Sequence, residues 1–232
     1  MHMSIIGSLE GELPDFLEGE LPDFPVGERL KKQIGFLIEA DKMKNVLRQS
    51  LILDKTRREN DAEHTWHIAL MAAVLHEHAH GAGVDLHRVL KMVLVHDLVE
   101  IYAGDTFAYD DAGYADKIER EAAAADKVFG ILPAGQGGEL RALWAEFDLM
   151  ETPDAKYAAA IDRLQPLLAN YVTGGHTWKL FGGITSDKVY KRMEIIRDGA
   201  PGLWGLAATL IEASIKRGYL KEPKVPKVPK SP

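Results

Sequence analysis

The sequence predicts an all-α fold, a single globular bundle of roughly seven to nine helices. Helix-start and helix-stop residues divide the chain into long periodic segments, and we find no convincing period-two alternation that would indicate a strand. Hydrophobic residues make up 46% of the 232 residues and charged residues 27%, which is typical of one fairly large globular domain with a sizeable core.

The first half of the chain contains two predicted helices before its most unusual segment. Residues 29–53 form a long helix candidate. Asn60 followed by Glu63 is the pattern of a capping box, in which each side chain accepts a hydrogen bond from the other residue's backbone N–H. It predicts a helix that runs to about Ala79 and ends at Gly81, because glycine readily takes the left-handed conformation of a helix terminus.

Further helices are predicted in the second half. Residues 117–128 show an amphipathic pattern. Thr152 is a suitable N-cap, and Pro153 suits the first helical position because its missing N–H is not needed there. The last two candidates span residues 186–199 and 201–218.

Both ends of the chain differ in composition from the part between them. LEGELPDF occurs at residues 9–16 and again at 17–24, a period too short for a solenoid repeat. The last residues space prolines among lysines, which favours an extended tail. We therefore expect a flexible acidic arm over 1–28, a helical domain over 29–220 and a Lys/Pro-rich tail over 221–232.

The overall charge and composition limit the partners. A net charge of −7 and a pI near 5.7 argue against a nucleic-acid polymer or an anionic membrane, which both attract a basic face. The chain has no cysteine, so any metal site must use His, Asp, Glu and water. No stretch of eighteen apolar residues and no signal-peptide pattern is present, and we expect a cytoplasmic protein without a membrane span.

The segment LVHDLVEIYAGDT, residues 94–106, places polar residues within a helix that otherwise reads as buried. At 100° per residue, His96, Asp97 and Glu100 share one arc of that helix, and Asp105 follows just past its end. Carboxylates are rarely buried unless they are paired or bind a metal. A structural network of ion pairs is the alternative that these residues alone leave open.

Two distant residues complete a possible ligand set. His64 lies on the same helical face as the apolar Ile68 and therefore faces the core. Asp162 lies four residues before Pro166, whose missing N–H predicts a kink. On three helices of one bundle, two nitrogen and two oxygen ligands suit a borderline divalent ion. The set is His64, His96, Asp97 and Asp162.

The motifs AEHTWHIALMA from residue 62, HDLVEIYAGDT from residue 96 and AIDRLQPLL from residue 160 resemble the HD-domain metal-dependent phosphohydrolases. The resemblance covers most of residues 30–218 and is strongest to the 5′-deoxynucleotidase branch. It implies a helical bundle of the HD-domain type, and it implies that the four residues above hold one divalent metal ion (Mn, Co, Fe, Ni, Zn or Mg). It also implies a homodimer.

Position by position, the resemblance implies further roles. Glu100 matches the acid that positions or activates the attacking water, and Asp105 matches an acid that contacts substrate or assists proton transfer. Arg48 lies near the arginine that this branch keeps for the substrate phosphate, although Gln49 follows it where the branch has tryptophan. Arg57 and Arg58 are rival phosphate-binding residues.

The resulting hypothesis is that a (deoxy)nucleoside monophosphate loses its 5′-phosphate to attacking water. Metal ions make water more acidic and polarise phosphoryl oxygens, and guanidinium groups bind phosphate through paired hydrogen bonds. Two alternatives remain open: a hydrolase of another phosphoester or signalling nucleotide, and a regulatory module that binds a nucleotide without turnover.

Overall fold

Helices form almost all the regular structure of the part of the chain that the computed structural model describes, residues 27–81, 83–110 and 112–223. The all-α prediction is confirmed. The predicted arm and tail lie almost entirely outside these residues. The α-helices of the described part are α1 (Glu28–Ala40), α2 (Asp61–Val74), α3 (Leu86–Val95), α4 (Glu100–Ala103), α5 (Lys117–Gly130), α6 (Ala134–Leu149), α7 (Pro153–Val172), α8 (His176–Leu180), α9 (Ser186–Met193), α10 (Ile195–Gly199) and α11 (Trp204–Lys216).

The long helix predicted over residues 29–53 is wrong beyond Ala40. A 3-10 turn (Asp41–Asn45) follows α1, and the chain then forms an antiparallel hairpin of β1 (Leu47–Leu51) and β2 (Arg58–Asn60). The expectation of no strands is therefore wrong as well. The Arg58 side chain donates hydrogen bonds to two backbone carbonyls of β1, which helps to hold the strands together. Strands of five and three residues are too short for period-two alternation to stand out.

The capping box at the start of α2 is confirmed. The Asn60 side chain accepts a hydrogen bond from the Glu63 backbone N–H at 2.9 Å, and the Glu63 carboxylate accepts one from the Asn60 N–H at 3.3 Å. The α-helix ends at Val74, earlier than expected, because a 3-10 turn (His76–His78) replaces its last predicted turn. Gly81 follows with a φ of 77°. This capped start fixes the direction in which α2 enters the core.

The single helix expected through residues 94–103 is wrong, since α3 stops at Val95 and α4 begins at Glu100. Between them the backbone turns more tightly: the N–H of Glu100 donates to the carbonyl of Asp97 at 2.9 Å, three residues back. The break leaves His96 and Asp97 in a turn at the end of a helix, buried among apolar neighbours.

Helix α7 runs through the middle of the bundle and packs against α2, α3, α6, α10 and α11. Its Thr152 cap is confirmed, because the hydroxyl accepts from the Ala155 N–H at 3.2 Å. The α7 residues from 158 to 161 are fully buried. Gly199 of α10 allows close packing there, because a Cβ at this position would lie 2.1 Å from the Lys156 carbonyl oxygen. None of the described helices is long and apolar enough to cross a membrane.

Candidate metal centre and active site

The four residues predicted as metal ligands converge at one buried point. His64 comes from α2, His96 and Asp97 from the turn after α3, and Asp162 from α7. Asp162 Oδ1 lies 3.0 Å from His64 Nε2 and 3.8 Å from His96 Nε2, and Asp97 Oδ1 lies 3.0 Å from His96 Nε2. Potential ligand atoms of His64, His96 and Asp162 all fall within 4.8 Å of one another, a spacing suited to one ion.

The histidine side chains are oriented as metal ligands require. His96 Nδ1 is 2.7 Å from the Val93 carbonyl oxygen, which only accepts, so Nδ1 carries the proton and Nε2 presents its lone pair to the site. His64 Nδ1 is likewise 3.2 Å from Gln165 Oε1. His96 Nε2 is buried and faces the Asp97 and Asp162 carboxylates, at 3.0 and 3.8 Å. These residues fit a divalent cation, because two inward-facing nitrogens meet two carboxylates.

The histidines and carboxylates of the site have strongly shifted pKa values. Burial lowers the pKa of the His64 imidazole to about 4. Burial also disfavours a charged His96, but Asp97 and Asp162 outweigh it and raise the pKa of His96 to about 10. Burial would raise the pKa of Asp97, yet His96 and Arg48 lower it to about 2. The carboxylates are therefore ionised at neutral pH. Their negative charge attracts a proton to His96, and a divalent cation can take the place of that proton.

Arg48, predicted to bind phosphate, lies on the cavity wall beside this centre. Its Nη1 donates to Asp97 Oδ2 at 2.9 Å and to Asp61 Oδ1 at 3.4 Å, and its Nε is 3.8 Å from Glu59 Oε2. Burial disfavours the charged guanidinium, but Asp97 and the neighbouring acids outweigh it and raise the pKa of Arg48. In this structure Arg48 compensates the charge of an acid cluster.

Two members of that cluster, Glu59 and Asp61, are buried acids that the sequence did not reveal, because acids around a helix start read as capping residues. Burial raises the pKa of each to about 7. Asp61, Asp97 and Glu100 bring carboxylate oxygens within 4.8 Å of one another. The hairpin and the start of α2 thus add negative charge next to the metal ligands.

Glu100 and Asp105, predicted as catalytic acids, both line the cavity. Burial, together with the charges of Asp97 and Asp61, raises the pKa of Glu100 well above its ordinary value, and burial raises that of Asp105. Glu100 Oε2 is buried without a hydrogen-bond partner in the described part of the chain. A buried carboxyl group facing a cavity, with a raised affinity for protons, is suited to proton transfer.

The other two predicted arginines do not line this cavity. Arg57 donates to both carboxylate oxygens of Glu63, at 2.8 and 2.6 Å, on the surface. Arg58 binds the backbone of β1, as described above. Three other cationic residues line the cavity: Lys117, Arg163 and Arg192. Nothing in the sequence distinguishes them from surface residues. Trp178 is 2% exposed and forms part of the cavity wall.

Gln165 connects the metal centre to the acid behind it. Its Oε1 accepts from His64 Nδ1, and its Nε2 donates to Glu59 Oε1 at 2.8 Å. Because such outer partners hold a ligand's orientation, we expect Gln165→Leu to weaken metal binding about 10- to 100-fold. Calorimetric titration of the metal-free protein measures this. Gln136→Leu, which alters a surface pair with Gln33, is the matched control. Wild-type affinity in Gln165→Leu would contradict the role.

Comparison with known proteins identifies the family of this chain. The family model described as HD domain matches residues 40–204. The 5'-deoxynucleotidase HDDC2 of Danio rerio is 26% identical over 140 residues, which cover 60% of this chain and 68% of that protein. The human HDDC2 is 26% identical over 136 residues, covering 58% of this chain and 65% of the relative. The alignments thus span about two thirds of these relatives.

Solved structures are also similar. A predicted metal-dependent phosphohydrolase from Magnetospirillum magnetotacticum has a TM-score of 0.80 and 50% identity, covering 84% of this chain and 96% of that one. A conserved hypothetical protein from Pyrococcus furiosus shares the fold, with a TM-score of 0.55 and 22% identity. That match covers 79% of this chain and 99% of the Pyrococcus chain.

Proposed function

This chain belongs to the HD domain family, and on that premise we propose that it removes the 5′-phosphate from deoxynucleoside monophosphates. Metal-dependent phosphohydrolysis is its class of activity. The observation that carries the proposal is the meeting of His64, His96, Asp97 and Asp162 at one buried point. Glu100 faces the same cavity. The similarity to the HDDC2 5'-deoxynucleotidases supports the choice of substrate.

In this proposal the four converging residues hold one divalent cation. When bound, such a cation polarises a phosphoryl oxygen and makes water more acidic. Glu100, once ionised, accepts a proton from the attacking water, and its raised pKa makes it a stronger base than an ordinary glutamate. The water oxygen forms a bond to phosphorus as the bond from phosphorus to the 5′-oxygen breaks.

The leaving 5′-oxygen needs a proton, and Asp105 is the residue we assign to deliver it. Its pKa is raised, so it holds a proton at a higher pH than an ordinary aspartate does. Arg48 helps to keep Asp97 ionised and holds Asp97 and Asp61 in place through its hydrogen bonds. The products are the nucleoside and inorganic phosphate. Glu100 then releases its proton to solvent and Asp105 takes one up from solvent, which restores both acids.

Metal removal and restoration test the function. We expect chelator-stripped protein to release no phosphate from nucleotides, and single divalent ions to restore release, fastest with deoxynucleoside 5′-monophosphates. A panel of deoxy- and ribonucleoside mono- and triphosphates, assayed for inorganic phosphate, measures this. Phosphate release from another phosphoester alone would overturn the proposed substrate. A protein that binds metal but hydrolyses no compound of the panel would be a binding module.

Two further expectations belong with this proposal. The resemblance to the family favours a homodimer, and light scattering of the purified protein tests it. On α2, Trp66, Leu70 and Val74 are 66%, 48% and 65% exposed, an apolar stripe that a second copy would suit. A cytoplasmic location also stays a prediction, which cell fractionation tests.

A further inference from the structure

Arg163 and Arg192 are cavity-lining arginines whose charges the acid cluster does not compensate. Arg48, by comparison, is paired with Asp97 and Asp61. Arg192, on α9, makes no hydrogen bond or ion pair with any residue in the described ranges, although it lies on the wall of the catalytic cavity. Arg163, on α7, has one carboxylate partner, the metal-ligand candidate Asp162.

Arg163 lies directly beside the metal centre. The two oxygens of Asp162 divide their contacts: Oδ1 is 3.0 Å from His64 Nε2, and Oδ2 accepts from Arg163 Nη1 at 3.1 Å. The Asp162 carboxylate therefore contacts the Arg163 guanidinium through one oxygen and His64 through the other. Its Nη2 donates to Met150 Sδ at 3.4 Å, and a thioether is a weak acceptor. This partly buried N–H is available to a stronger acceptor.

The two arginines meet where the catalytic cavity joins a neighbouring groove, since both line the two spaces together with Tyr109 and Tyr114. Both guanidinium groups are cationic and line the same two spaces, so their charges repel. The acids of the neighbouring groove, Glu194 and Asp198, do not line the catalytic cavity. An anion that contacts both guanidinium groups relieves the repulsion.

We propose that Arg163 and Arg192 together bind the phosphoryl group of the substrate, from the α7 and α9 side of the cavity. Planar guanidinium groups bind phosphate oxygens through paired hydrogen bonds, and two of them match the two negative charges of a phosphate monoester. The identity of the anion rests on the proposed function. Arg48 is then the residue that holds the acid cluster together, and the phosphate-binding role expected of it passes to this pair.

The test measures binding of inorganic phosphate by calorimetry, using the full-length protein loaded with the divalent ion it binds most tightly. We expect Arg192→Gln to weaken phosphate binding about 10-fold and Arg163→Gln at least as much, since each loses charge-assisted hydrogen bonds. In turnover assays, KM should rise more than kcat falls. Arg197→Gln removes the same charge from an exposed position over Trp204, outside both spaces, and should change neither quantity.

Folding and metal content are checked on each variant by thermal melting and elemental analysis. Arg192→Gln is the decisive variant, because Arg192 has no described partner to lose, whereas Arg163 contacts a metal-ligand candidate. Phosphate affinity in Arg192→Gln equal to that of Arg197→Gln would overturn the proposal. If phosphate binding depends on the pair but no nucleotide is hydrolysed, the anion site stands and the proposed function fails.

Discussion

Replacing Glu100 by glutamine should lower the rate of phosphate release on the order of 10²- to 10⁴-fold while the bound metal stays at the wild-type level. Glutamine keeps the size of the side chain but cannot accept a proton from water. The buried Glu100 Oε2 has no hydrogen-bond partner in the described structure, so the substitution breaks no hydrogen bond of that atom. Steady-state kinetics and elemental analysis of the same samples measure the two quantities.

Glu139→Gln is the matched control for this experiment. Glu139 lies on the surface, 3.3 Å from Lys91 Nζ, and its loss should leave turnover unchanged. A Glu100→Gln protein that loses its metal would show that Glu100 is a ligand instead of a base. Near-normal turnover with the metal retained would remove Glu100 from the mechanism altogether.

Asp162→Asn should remove both metal and activity. Asp162 contacts His64 and Arg163 and lies 3.8 Å from His96, so its charge is the common partner of several groups. Burial opposes its ionised form, but His64 and His96 lower the pKa of Asp162 well below its ordinary value. An amide cannot supply that charge, and we expect metal affinity to fall at least about 100-fold.

Elemental analysis after dialysis and calorimetric titration measure the loss in Asp162→Asn. Asp126→Asn, which alters an exposed pair with Arg141, is the control and should retain the metal. If Asp162→Asn keeps a full complement of metal, the ion lies elsewhere. The adjacent cluster of Asp61, Asp97 and Glu100 is then the site to examine.

The cluster of candidate metal ligands could be predicted from the sequence because polar residues are unusual in buried helices. His64 faces the core of α2, and Asp162 lies among alanines of α7, so a polar residue there needs a partner. The order and context of the motifs then indicated the family. Predicting that the four residues meet did not require the exact helix boundaries, since the turn after α3 still brings His96 and Asp97 to the same point.

The features of the fold and the site that could not be predicted lie in short segments or in segments with an ambiguous sequence pattern. The hairpin has too few residues for a periodic signal, so the place of Arg48 within the acid cluster was hidden. Helix α6 was missed because its first turns contain Gly135, Gly137 and Gly138, which disfavour helix. Arg163 and Arg192 lie on helix faces where arginine is usually a solvated residue, and only the packing of α7 with α9 brings them together.

The two histidines of the candidate metal centre are held by different kinds of hydrogen-bond partner, one from the backbone and one from a side chain. His96 is oriented by the main-chain carbonyl of Val93, which is present whatever side chain occupies that position. His64 is oriented by the side chain of Gln165, which in turn depends on Glu59. Substitution of Gln165 or Glu59 can therefore reorient His64, whereas the orientation of His96 follows from the path of the backbone.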